Sequence, residues 1–70
     1  MSDLHRRLLD AHARDDRAAL VTLYSEAANQ AISEDAAGFF LTQAYVFALE
    51  TGHPDRAALH DRLKAMGRED

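Results

Sequence analysis

The pentapeptide DRAAL occurs twice in a chain of 70 residues, at 16–20 and at 55–59. A short chain that uses one segment twice, 39 residues apart, is constrained to build two similar local structures. Each copy follows a long stretch of helix-favouring residues and opens another. The repeated unit is therefore read as a helical hairpin.

The chain is rich in Ala, Leu, Arg and Glu, and no segment alternates with a period of two. Breakers divide it into four helices, at about 3–13, 16–31, 34–51 and 54–66. Asp15-Asp16 and Ser33-Glu34-Asp35 offer N-caps and first-turn acids. In Gly52-His53-Pro54 the Gly suits the end of one helix and the Pro the first turn of the next.

The first helix carries a stripe of Leu4, Leu8, Leu9 and Ala11 against Arg6, Arg7, Asp10 and Arg14. The second has Leu20, Leu23, Tyr24 and Ala27 on one side, with small residues Ala18, Thr22, Ser25 and Ala28 elsewhere. The third is apolar nearly all round, from Phe39 to Leu49, as in a helix that is central or faces a partner. The fourth sets Leu59, Leu63 and Met66 against Arg56, Asp61, Arg62 and Lys64. The expected fold is all-α: one domain, 1–70, of four antiparallel helices in two stacked hairpins, 3–31 and 34–66. With no Cys, neither disulfides nor thiolate metal sites are available.

Twelve acids against eight bases give a net charge of −4, which disfavours nucleic acid as a ligand. No run approaches the ~20 apolar residues that span a bilayer, and Met1–Asp10 does not read as a signal peptide. The expected location is the cytoplasm, and the Arg- and Ala-rich composition suggests a GC-rich bacterial source.

Leu41-Thr42-Gln43-Ala44-Tyr45, a turn, and then Asp55-Arg56-Ala57-Ala58-Leu59 resemble a tetratricopeptide repeat. His12 to Ala31 resembles the end of the first helix and the second helix of a preceding repeat. The resemblance implies two stacked hairpins that bind a peptide or protein on the concave face lined by each first helix. Carried onto this chain, that face holds Phe39, Gln43, Val46 and Phe47 in the third helix and Leu4, Arg7 and Leu8 in the first. Leu4, Leu8 and Phe47 also read as core, which leaves Arg7, Phe39, Gln43 and Val46 as the partner-binding candidates. Phe39 and Val46, seven apart, share one face with Gln43 between them. An exposed strip there would favour self-association as a homodimer.

Chemistry is less well represented. His5/His12 and His53/His60 are each seven apart, about 10.5 Å along a helix and too far for one ion. A metal-binding or regulatory role for His12, His53 and His60 is the alternative reading, with Asp15 or Asp55 supplying carboxylates. The favoured reading makes the histidines solvated or capping. His60-Asp61 lacks further ligands, and Ser25, His12 and Asp16 lack a nucleophile turn. Gly38, Gly52 and Gly67 form no phosphate loop. The chain is expected to be non-enzymatic, with no cofactor.

Overall fold

The computed structural model describes residues 3–67, so the outermost residues of the expected 1–70 domain lie outside it. Four helices account for most of the described chain: α1 (Asp3–Ala13), α2 (Arg17–Gln30), α3 (Glu34–Thr51) and α4 (Arg56–Ala65). Among the described residues there is no strand, and no helix is long and apolar enough to cross a membrane.

Sequence neighbours pack on one another, and α2 against α3 is the most extensive interface. Cross-helix contacts show that these neighbours run antiparallel. Arg7, early in α1, pairs with Glu26, late in α2, at 2.8 Å. Arg17, at the start of α2, pairs with Glu50, near the end of α3, at 3.3 Å. Tyr45 of α3 and His60 of α4 meet ring to ring at mid-helix.

Two clusters form the core. Val21 and Ala28 of α2, Leu41, Ala44 and Ala48 of α3, and Leu59 and Leu63 of α4 make the larger one. Ala11 of α1 with Leu20 and Leu23 of α2 makes the smaller. Alanines at the α2–α3 contact let the two backbones approach closely, since interaxial distance follows side-chain size. The described chain measures 32 × 28 × 12 Å.

The caps explain the helix boundaries. Asp16 and Ser33 each accept a hydrogen bond at 3.1 Å, from the N–H of Ala19 and of Ala36. Gly52 closes α3 in the left-handed conformation, and the N–H of His53 then donates to the carbonyl of Ala48 at 2.9 Å. The end of α1 uses the same device without a glycine. Asp15 takes φ +52°, and the N–H of Asp16 donates to the carbonyl of Ala11 at 2.9 Å. Asp tolerates this region better than most side chains because its carboxylate is short and polar.

Two expectations about the turn between α3 and α4 need correction. Pro54 is not in the first turn of α4: the helix begins at Arg56, and Pro54 sits in the turn before it. The two copies of DRAAL are also not equivalent at their aspartates. Asp16 caps α2 with its side chain, whereas Asp55 makes no capping hydrogen bond. His53 does part of that work, its Nδ1 accepting the N–H of Asp55 at 3.0 Å. The physical reason is the length of the turn. Asp16 directly follows left-handed Asp15, but two residues separate Gly52 from Asp55. The leucines do match: Leu20 and Leu59 are both buried, four residues after the cap.

The pair of identical pentapeptides should therefore respond differently to one substitution. Asp16→Ala removes a side-chain cap and is expected to cost about 1 kcal/mol. Asp55→Ala loses a charge near a helix start and a 3.8 Å contact with His53 Nδ1, expected to cost less than about 0.5 kcal/mol. Urea denaturation of the two variants against the parent measures both.

Candidate interaction surface

α3 has two unlike faces. Leu41, Ala44 and Ala48 point into the core and are at most 1% exposed. Phe39 and Val46 on the opposite side are 57% and 42% exposed, and Leu49 on the flank next to them is 53% exposed. Thr42 lies between them on that outer face and is also exposed. A helix that is apolar all round is thus buried along one side only. Leu49 extends the exposed strip one turn beyond Val46, a residue the sequence pattern did not single out.

Between the two faces lie aromatic side chains that tie three helices together. Phe47 stacks on Tyr24 of α2, with ring centroids 6.0 Å apart and planes 13° apart. It also meets the ring of His12 of α1 edge-on at 6.1 Å. His12 Nε2 lies 2.9 Å from the hydroxyl of Tyr24. Phe40 leans against Tyr24 at 6.2 Å and against Phe39 at 5.6 Å.

Beside Phe40 opens a groove of about 260 Å³. Its apolar lining is Leu4 and Leu8 of α1, Ala27 of α2, Ala31 just after α2, and Phe40 of α3, with His5 and Gln30 as its polar members. The groove thus lies where the first helices of the two hairpins approach each other over the end of α2. A space of this size holds one large apolar side chain. Ile32, next to Ala31, is fully exposed in the following loop.

The four candidate residues do not form one cluster. Phe39 and Val46 lie on the outer face of α3, exposed, and Gln43 is half-buried beside them. Arg7 is elsewhere. Its guanidinium bonds Asp3 at 2.9 Å and Glu26 at 2.8 Å, so it fastens α1 to α2. The sequence carried no sign of this long-range partner, because Glu26 is 19 residues away. Phe40, Leu4 and Leu8, which line the groove, are better placed than Arg7 to touch a ligand.

His12 is engaged with Tyr24 and Phe47, and His53 with the turn before α4. Among the described residues no three His, Cys, Asp or Glu side chains are grouped to hold a metal ion. No protein-family model matches this chain, and neither a curated protein nor a solved structure matches it.

Exposure separates side chains that hold the fold from those available for contact. Phe39→Ala is expected to change stability by no more than about 0.5 kcal/mol. Phe47→Ala removes the ring shared by three helices and is expected to cost about 3 kcal/mol. Thermal unfolding followed by circular dichroism tests the contrast.

Proposed function

We propose that this chain is a small, non-enzymatic protein-interaction module with tetratricopeptide-like paired hairpins, working in the cytoplasm. It takes a peptide or a protein segment on the surface built by α1 and α3. The observation that carries this reading is the groove beside Phe40, where apolar side chains from the first helix of each hairpin converge on a space for one apolar anchor.

The surroundings of the groove suit recognition by a short segment. Apolar walls supply affinity, while Gln30 at the rim offers a polar group that sets orientation. The fold also favours a preformed site. Leu4 and Leu8 pack against the smaller core cluster, and Phe40 packs against the larger. The groove walls are therefore held in place before a ligand arrives, which lowers the ordering cost of binding.

The test is selection of binders from a displayed library of random peptides, followed by amide chemical-shift mapping with the best synthetic peptide. The expected shifts centre on Leu4, Leu8, Gln30 and Phe40. Gln30→Ala, at an exposed lining position, is expected to weaken the peptide by about fivefold, roughly the 1 kcal/mol of a lost hydrogen bond, with the unfolding midpoint unchanged. Shifts confined to α4 would contradict the reading.

A further inference from the structure

We propose that His53 is a proton-operated cap for α4. With its ring neutral, it holds the start of the helix through the backbone of Asp55. On taking up a proton it releases that backbone and turns to the carboxylate of the same residue. The device lies at the far end of α3 from the groove and acts without it.

The backbone N–H of Asp55 donates to His53 Nδ1 at 3.0 Å. A backbone amide can only donate, so Nδ1 is the unprotonated nitrogen and the ring proton sits on Nε2. A side-chain acceptor that takes the N–H two residues on forms an Asx-type turn, usually built by Asp or Asn. The turn between α1 and α2 does use a carboxylate, Asp16, which accepts from the Ala19 N–H. The turn between α3 and α4 uses an imidazole, and the side chain of Asp55 makes no capping bond. Of these two acceptors, the imidazole is the type that changes charge between about pH 5 and about pH 8.

The residue itself is held in place on both sides. Its N–H donates to the carbonyl of Ala48 at 2.9 Å, and its carbonyl accepts from the N–H of Arg56 at 3.2 Å. Pro54, the next residue, has a fixed φ. The His53 side chain is 18% exposed. The ring can therefore turn about its own bonds, while the backbone beneath it stays where it is.

Protonation places a hydrogen on Nδ1. Two N–H groups then face each other across 3.0 Å, and the bond to the Asp55 backbone is lost. Asp55 Oδ2 lies 3.8 Å from the same nitrogen. Rotation of the ring shortens that distance to a charge-assisted hydrogen bond. The other titratable and charged groups at this end are Glu50 on α3, Arg56 and His60 on α4, and Arg17 of α2 with Asp15 before it. Arg17 engages both Glu50, at 3.3 Å, and Asp15, at 3.4 Å, and His60 meets the ring of Tyr45. That leaves Asp55 as the carboxylate for the charged ring. Asp55 is exposed, so its freed N–H turns to water. With ten residues, α4 is too short to hold a helix by itself. Its first turn loosens, while Leu59 and Leu63 keep the rest docked.

Magnetic resonance of the full, isotope-labelled chain between about pH 8 and about pH 5 tests the switch. At the upper end, the His53 proton is expected on Nε2, with a scalar coupling across the hydrogen bond from the Asp55 amide nitrogen to Nδ1. Acidification is expected to abolish that coupling and to move the Asp55 amide signal with the same midpoint as the His53 ring protons. His53→Asn supplies an acceptor that does not titrate. This variant is expected to stay folded, with an Asp55 signal that no longer depends on pH in this range. A proton on Nδ1 at the upper end overturns the proposal. So does an Asp55 amide that stays still while the ring titrates, or one that moves as far in His53→Asn as in the parent. Should the variant fail to fold, the titration of the parent decides by itself.

Discussion

The close contact between α2 and α3 sets the position of everything else in this chain. It is built from Val21 and Ala28 on one helix and Leu41, Ala44 and Ala48 on the other. Because three of these are alanines, the helices approach closely, and larger side chains at the margins are forced outward. Tyr24, Phe40 and Phe47 are those margins on one side, and they form the aromatic bridge that α1 leans on through His12. Leu59 and Leu63 cover the other side from α4. What remains uncovered is the outer face of α3.

The same constraint explains why a small chain exposes apolar residues. With α2 and α4 packed on its inner side, α3 has no further helix among the described residues to cover Phe39, Val46 and Leu49. The groove has a related origin. α1 and α3 both rest on α2 but do not pack backbone to backbone, and the gap between them near Leu4 and Phe40 is the groove. Surface ion pairs such as Arg7–Glu26 and Arg17–Glu50 fix the register of neighbouring helices and contribute little stability.

Much of the fold was legible in the sequence. The expected helices 3–13 and 34–51 coincide with α1 and α3, and the other two agree to within one or two residues at each end. Ser33, Asp16 and Gly52 act as their chemistry suggests, because capping is decided within a few residues. Features that depend on tertiary contact were not legible. Asp15 takes the left-handed role that sequence patterns assign to glycine. Pro54 lies in the turn, ahead of the helix start. Arg7 reads in the sequence as a partner-binding candidate, and nothing local shows that its guanidinium reaches Glu26, 19 residues away. Above all, a helix with apolar residues on every side has no periodicity to show which side is buried. Phe39, Phe40 and Phe47 are alike as letters, yet one is exposed, one walls the groove and one bridges three helices.

The central claim is that α3 is packed along one side and open along the other, and Leu41 is buried at 1% exposure where Leu49 is 53% exposed. Their replacement by alanine, in dilute solution where any dimer is dissociated, compares the two faces with one chemistry. Equilibrium unfolding should show Leu41→Ala costing about 3 kcal/mol, or abolishing the fold, as at a core site. Leu49→Ala should cost less than about 0.5 kcal/mol. Equal and large losses at both positions would mean that α3 is buried all round, and the account of its open face would be wrong.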